Sequence, residues 1–373
     1  MRAHEPVFRD ETNGLWAVTR HAHVMEVSKR PRDFCSSGSS RPDAPAIPSM
    51  INLDDPAHKK RRNLVNKGFT PRRVEELEPR VREIVTGLID RVAPRGACDF
   101  VADLAAPLPM IVIGDMLGVE PEDRDMLLRW SDDLILGTSA TATPEAAAGA
   151  ARAFSEYAEY HRRVVADRRA DPRDDLVSVL VHAEIDGDRL DEEALLQESL
   201  LILVGGDETT RHVITGGTYQ LLRHPDQMRL LAREPARIPL AVEEMLRWVT
   251  PIQNMNRTAT RDVEFHGRRI REGERVLLLY PSANRDEAVF EEPFRFDVTR
   301  RPNEHVAFGG YGPHFCLGAS LARLELRVMF EELLRRLPDL TLDAEEPLPM
   351  RPSNFITGIE RMPVRFAPRE PGA

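Results

Sequence analysis

The chain has 373 residues, 42% of them hydrophobic and 30% charged, which supports a large core and excludes the low-hydropathy composition of a disordered chain. With 51 Lys and Arg against 61 Asp and Glu the net charge is −10, so the total does not indicate a nucleic-acid surface, and any basic patch must be local. Stretches 105–119 and 200–206, the longest apolar ones, fall short of the ~20 residues a membrane span needs.

The opening Met1-Arg-Ala-His-Glu-Pro6 has no apolar run of the kind a signal peptide carries, so secretion is not expected. Three cysteines spread over the chain give no disulfide framework, which fits the reducing cytoplasm. Residues 41–48, with three prolines, read as an extended loop. Asp55-Pro-Ala-His58-Lys-Lys-Arg-Arg62 opens a helix with His58 and Arg62, at i and i+4, on one face. Residues 138–153 are Ala-rich and read as helical after Pro144.

Residues 191–225 are the most informative segment. Asp191 caps a helix with Glu192 and Glu193 in its first turn, Arg223 and His224 near its end, and Pro225 as its stop. About 30 residues at 1.5 Å each make a rod of roughly 45 Å, long enough to be the central helix. Near its middle stands Gly205-Gly206-Asp207-Glu208-Thr209-Thr210. Each glycine costs about 1 kcal/mol relative to Ala in a helix, so the pair predicts either a local distortion that admits a flat ligand or a close helix contact. Strand signals are few: residues 263–266, a turn at Gly267, 269–270, and 275–280. The class is mainly α with a small β part, and with no repeat or Gly/Ser linker the expectation is one domain over 1–373.

Residues 305–318 are loop-like, with Gly309, Gly310 and Gly312, until a helix begins just after Cys316. A thiol at a helix start feels the positive end of the dipole, which is expected to lower its pKa and favour the metal-binding thiolate. A structural zinc site lacks the further Cys or His ligands it needs near His314-Phe-Cys316. A reactive thiol and an inert buried cysteine stay open on these residues alone. Cys35 and Cys98 have no comparable setting.

The segment Gly312-Pro-His314-Phe-Cys316-Leu-Gly318 resembles the haem-binding signature of the cytochrome P450 family, with Phe308 eight residues before the cysteine, one further than is commonest. The glycine, acid and threonine of 205–209, Glu244-Met-Leu-Arg247 and Arg295 in Pro293-Phe-Arg-Phe296 resemble further family features in the family's order. The resemblance implies the P450 fold, a long central helix over a haem b, and Cys316 as the thiolate ligand to iron. Propionate partners are implied at His58, Arg62, Arg257 and His314. Thr209 is implied as the oxygen-site alcohol beside a helix break, Glu208 as proton relay, and Asp207 as a third candidate. Glu244, Arg247 and Arg295 are implied as a structural ion-pair network. Family members usually run through a first helix before the point where this chain begins, so an N-terminal helix is expected to be missing.

Such a monooxygenase uses O2 and takes electrons from a ferredoxin and its reductase, with no nucleic acid and no membrane span. A positive docking face is expected from Lys59, Lys60, Arg61, Arg323 and Arg327. Residues 98–110, 203–212 and 351–358 are similar to the actinobacterial branch that oxidises the terminal carbon of sterol side chains. The substrate expected is a hydrophobic sterol, with Ile47, Met50, Ile51, Leu134, Ile135, Leu203, Val249 and Ile252 as candidate pocket residues. Competing readings are oxidation of another lipid or a secondary metabolite, and a haem-thiolate protein that only binds a ligand or uses peroxide. The intact Glu208-Thr209 pair argues against the last.

Overall fold

A helix of 32 residues, Glu192–Arg223, runs through the protein, and the Asp191 carboxylate caps it by accepting the Ala194 N–H at 2.7 Å. The computed structural model describes residues 1–42, 44–137, 142–185 and 187–372. The central helix packs against the helices Pro107–Met116, Ile238–Val249 and Ala319–Arg336, and Leu203, Ile214 and Leu221 anchor it in the larger apolar core. The expected break at Gly205-Gly206 is absent, for the segment stays α-helical throughout. The two glycines serve different ends. A side chain at Gly206 would meet Ile113 at 2.5 Å, so this glycine permits a close helix contact, whereas Gly205 faces open space.

The Ala-rich stretch is helical as expected: Thr143 caps the helix Pro144–Ala170, while 138–141, like Asp43 of the expected loop 41–48, lie outside the described residues. The β part is small. A five-stranded sheet runs in the order Val7–Asp10, Leu15–Val18, Arg275–Leu279, Asn254–Ala259 and Phe34–Cys35. Val276 and Leu278 alternate into a second apolar cluster with Trp16, Val18 and Phe34. His266 and Gly267, both at positive φ, turn the expected hairpin between Val263–Phe265 and Arg268–Ile270. No helix among the described residues is long and apolar enough to cross a membrane.

A fully buried ion pair ties the helix Ile238–Val249 to the chain that leads into the cysteine loop. Arg247 donates to both Glu244 carboxylate oxygens at 2.7 Å, and to the carbonyls of Asn284, Pro293 and Arg295. The third cation is Arg300, whose Nε lies 3.2 Å from Glu244. Arg295, expected in that place, is instead exposed and pairs with Glu292 at 2.9 Å. Both arginines lie on an irregular segment, where spacing gives no periodicity to say which side chain points inward.

Removing one partner of a buried pair strands the other charge, so Arg247→Ala should destabilise the protein by about 3–5 kcal/mol. Arg295→Ala should cost less than about 0.5 kcal/mol, as expected of an exposed site. Denaturant unfolding of both variants checks this, and equal losses would return Arg295 to the network.

Candidate functional site

The cysteine loop is shaped by glycines at positive φ, of which Gly312 is the most constrained: a side chain there would meet the Ser28 carbonyl oxygen at 2.3 Å. Cys316 donates its backbone N–H to the Phe308 carbonyl at 3.0 Å, and its sulfur accepts the N–H of Gly318, the residue that caps the helix Ala319–Arg336. Phe308 lies under the Arg323 guanidinium, 4.6 Å from the ring centre. The expected lowering of the thiol pKa does not occur. Burial pushes it up, against the Gly318 N–H, Arg62 and Arg323, which pull the other way. Cys316 is exposed, so its sulfur is within reach of a bound group. A bound metal cation, rather than the helix dipole, is what would make it a thiolate.

Around this cleft the fold gathers positive charge. Arg257, on the strand Asn254–Ala259, is buried and among the described residues donates only to the neighbouring Asn256 carbonyl at 2.7 Å. Arg62 is half-buried and donates to the Phe315 carbonyl at 2.6 Å. Among the described residues neither forms an ion pair, and Asp54 is engaged by the Ser36 and Ser37 N–H groups at 2.8 and 3.1 Å. The His58 and His314 rings lie 4.2 Å apart, and His58 Nε2 is buried without a partner. Burial, followed by Arg257, His58 and Arg62, presses the His314 pKa down to about 2, and burial also lowers those of His58, Arg62 and Arg257. Buried cations without counterions are costly, so the cluster fits a ligand carrying carboxylates. The four residues the sequence singled out do converge. Haem, with two propionates and an iron for Cys316, matches this set of groups.

On the central helix, the Thr209 hydroxyl donates back to the Gly205 carbonyl at 3.0 Å, so the alcohol and the open glycine lie together. Glu208 is buried in an ion cluster with Arg211 at 2.9 Å, Arg351, and His212 at 3.5 Å. Burial alone would raise its pKa, but His212, Arg211 and Arg351 outweigh it and hold the carboxyl below its usual range. Asp207 behaves oppositely. Both its oxygens are buried without hydrogen-bond partners, and burial and the Glu208 charge raise its pKa far above the ordinary value. Burial, then the charge of Asp207, does the same to Glu325 on the helix Ala319–Arg336. Sequence reasoning missed Glu325, and it passed over Arg211, His212 and Arg351. Only the unusual density of charge after Gly206 signalled any of these.

The expected docking face is largely neutralised. Lys60 pairs with Asp188 at 2.8 Å, Arg61 with Glu198 at 3.1 Å, Arg323 with Glu243 at 2.7 Å and Arg327 with Glu331 at 3.1 Å and also Glu78. Among the described residues Lys59 is the one of the five without an ion pair. Asp188, Glu198, Glu243 and Glu78 stand on facing elements, which sequence spacing does not reveal, whereas Glu331 lies one turn from Arg327 on the same helix. Of the candidate pocket residues, Met50, Leu134 and Leu203 belong to the apolar core, Ile135 is buried, and Ile47 is exposed. Ile51, Val249 and Ile252 are half-buried, and Ile252 forms a β-bridge with Ile356.

The cytochrome P450 family model matches residues 17–365. A steroid C26-monooxygenase of Mycobacterium tuberculosis (strain CDC 1551 / Oshkosh) is 56% identical over 372 residues, all of both chains. A protein of the same name from Mycolicibacterium smegmatis is 53% identical over all of this chain and 92% of its own. Among solved structures, CYP109E1 from Bacillus megaterium in complex with corticosterone superposes with a TM-score of 0.90 at 35% identity, over 98% of this chain and 96% of that one. The likeness therefore extends from the cysteine loop to nearly every residue of the fold, and the chain belongs to the cytochrome P450 family as a haem-dependent monooxygenase.

Proposed function

We propose that this monooxygenase hydroxylates the terminal methyl of a sterol side chain. The observation that carries this reading is the identity of 53 to 56%, over the whole chain, to proteins named steroid C26-monooxygenase. In this reading Cys316 ligates the iron, and His58, Arg62, Arg257 and His314 hold the propionates. A haem held by a thiolate supplies the reductive activation of O2. The chain's own groups handle the proton: Thr209 Oγ1 holds one at the cleft, and Glu208 resupplies it. A sterol tail gains roughly 0.8 kcal/mol per buried CH₂, which binds it without choosing a carbon. Terminal C–H bonds are stronger than tertiary ones, so the walls must fix the tail end-on, trading reactivity for position. Electrons come from a ferredoxin and its reductase in the cytoplasm, and Lys59 and Tyr311, which is 66% exposed on the cysteine loop beneath the Lys29 ammonium, are surface groups for meeting a partner.

Cys316→Ser should abolish the red-shifted absorption band of the reduced, CO-bound protein, and survival of that band would remove the ligand assignment. Arg257→Ala and Arg62→Ala should each lose haem faster to apomyoglobin than the parent protein, because each removes a cation facing the carboxylates. Unchanged transfer rates would place the propionates elsewhere. Titration with cholest-4-en-3-one should shift the ferric Soret band towards high spin, and turnover should give a terminal alcohol or acid. A spin shift with other products would keep the pocket and overturn the position, and neither shift nor side-chain product would overturn the sterol reading.

A further inference from the structure

The strand Arg275–Leu279 turns Val276 and Leu278 to one face of the five-stranded sheet, and Tyr280, next in that alternation, joins them in the second apolar cluster. Arg257 lies opposite Val276 in the antiparallel register. Directly opposed residues share a face, so Arg257 and Tyr280 rise from the same side of the sheet. Tyr280 opens the short helix Tyr280–Ala283, and packing in the cluster holds its ring. The first carbon of a side chain at Gly309 would lie 3.7 Å from the Tyr280 hydroxyl oxygen and 3.7 Å from the His314 carbonyl oxygen, so the hydroxyl reaches the cysteine loop. The phenol therefore stands between the strand that carries Arg257 and the loop that carries His314.

Tyr280 is 2% exposed, and among the described residues its hydroxyl makes no hydrogen bond. The atom is nevertheless not sealed. The hydroxyl of Tyr157, a residue equally buried, is enclosed without a partner, whereas the Tyr280 oxygen keeps contact with open space. The guanidinium nitrogens of Arg257 that do not reach Asn256 are open in the same way. Burial raises the pKa of the phenol while the Arg257 charge pulls the other way, so the hydroxyl keeps its proton. A guanidinium carries no acceptor, so Arg257 cannot take a hydrogen bond from it. Both groups are donors that lack an acceptor, and one carboxylate can serve several donors at once.

We propose that the Tyr280 hydroxyl donates to the same haem carboxylate that Arg257 faces, which makes Tyr280 a further cofactor-binding residue. The proposal rests on the propionate reading given above and adds a neutral donor to it. Neutrality matters at this place. Arg257 and Arg62 already lie without counterions, and a third cation would add to the cost of the cluster before the cofactor enters. A hydroxyl brings a hydrogen bond and no charge, so it strengthens the bound state at a smaller cost to the empty one. Motif spacing gave no sign of this residue, because Tyr280 continues the apolar alternation of a strand and its oxygen meets Arg257 and Gly309 only in the folded chain.

The test uses the full haem-loaded chain. Tyr280→Phe keeps the ring and its packing and removes only the oxygen, so the CO band should be retained. Haem transfer to apomyoglobin should become roughly tenfold faster, as expected on losing a hydrogen bond to a charged acceptor. In resonance Raman spectra the propionate bending vibration should move to lower frequency, which a packing role of the ring would not produce. In Tyr280→Phe combined with Arg257→Ala the two effects on transfer should not simply multiply, because donors on one carboxylate are coupled. Strictly multiplicative effects would put the hydroxyl on a different carboxylate and overturn the proposal. So would a parental transfer rate and an unmoved vibration in Tyr280→Phe while Arg257→Ala loses haem quickly. Parental transfer in both single variants would instead overturn the propionate reading beneath it.

Discussion

Positive charge held without its own counterion organises the site. Arg257, Arg62, His58 and His314 come from a sheet strand, a helix and the cysteine loop, and among the described residues no carboxylate within ion-pair distance neutralises the two guanidiniums. Such a cluster is unfavourable until an anion enters, so folding leaves energy that binding recovers. The depressed pKa values of all four groups are one consequence of the arrangement: each is harder to protonate because it is buried, and the histidines also because the others are charged. The cofactor's carboxylates then complete the electrostatics of the fold as well as supplying its chemistry.

Around Glu244 the protein compensates its buried charges. Arg247 satisfies both oxygens of Glu244 and reaches three backbone carbonyls, and Arg300 and Asn303 close the remaining side. That network is inert by construction, since every donor is used. The Glu208 cluster lies between these extremes. It is ion-paired through Arg211 and Arg351, yet the oxygens of the adjoining Asp207 and the ring nitrogens of His212 have no hydrogen-bond partner. The three degrees of satisfaction accord with the roles proposed for these groups: cofactor binding, structure and proton handling.

The central helix connects these regions because its face changes purpose along its length. Gly206 lets Ile113 approach and Gly205 faces open space, while the next turn carries the alcohol and the acid. An unbroken helix achieves this without the distortion that two glycines suggested. The intrinsic cost of Gly206 is offset by its helix contact, and the Thr209 hydroxyl folds back onto the Gly205 carbonyl.

Local chemistry was legible in the sequence. The Asp191 cap, the Pro225 stop, the Gly267 turn and the helix start after Cys316 each depend on residues within a few positions of one another, and the four residues proposed to hold the propionates came from motifs of the same short range. What required the tertiary structure depends on distant neighbours. Arg300 rather than Arg295 reaches Glu244 because an irregular segment folds back, and four of the five expected docking cations are paired by acids on facing elements. The direction of the Cys316 shift changed for the same reason, since a helix dipole is a property of sequence position whereas burial belongs to the assembled cleft. Arg351 joins Glu208 from 143 residues away, and only folding brings such a pair within reach, because a charge interaction depends on separation in space and leaves no period in the chain.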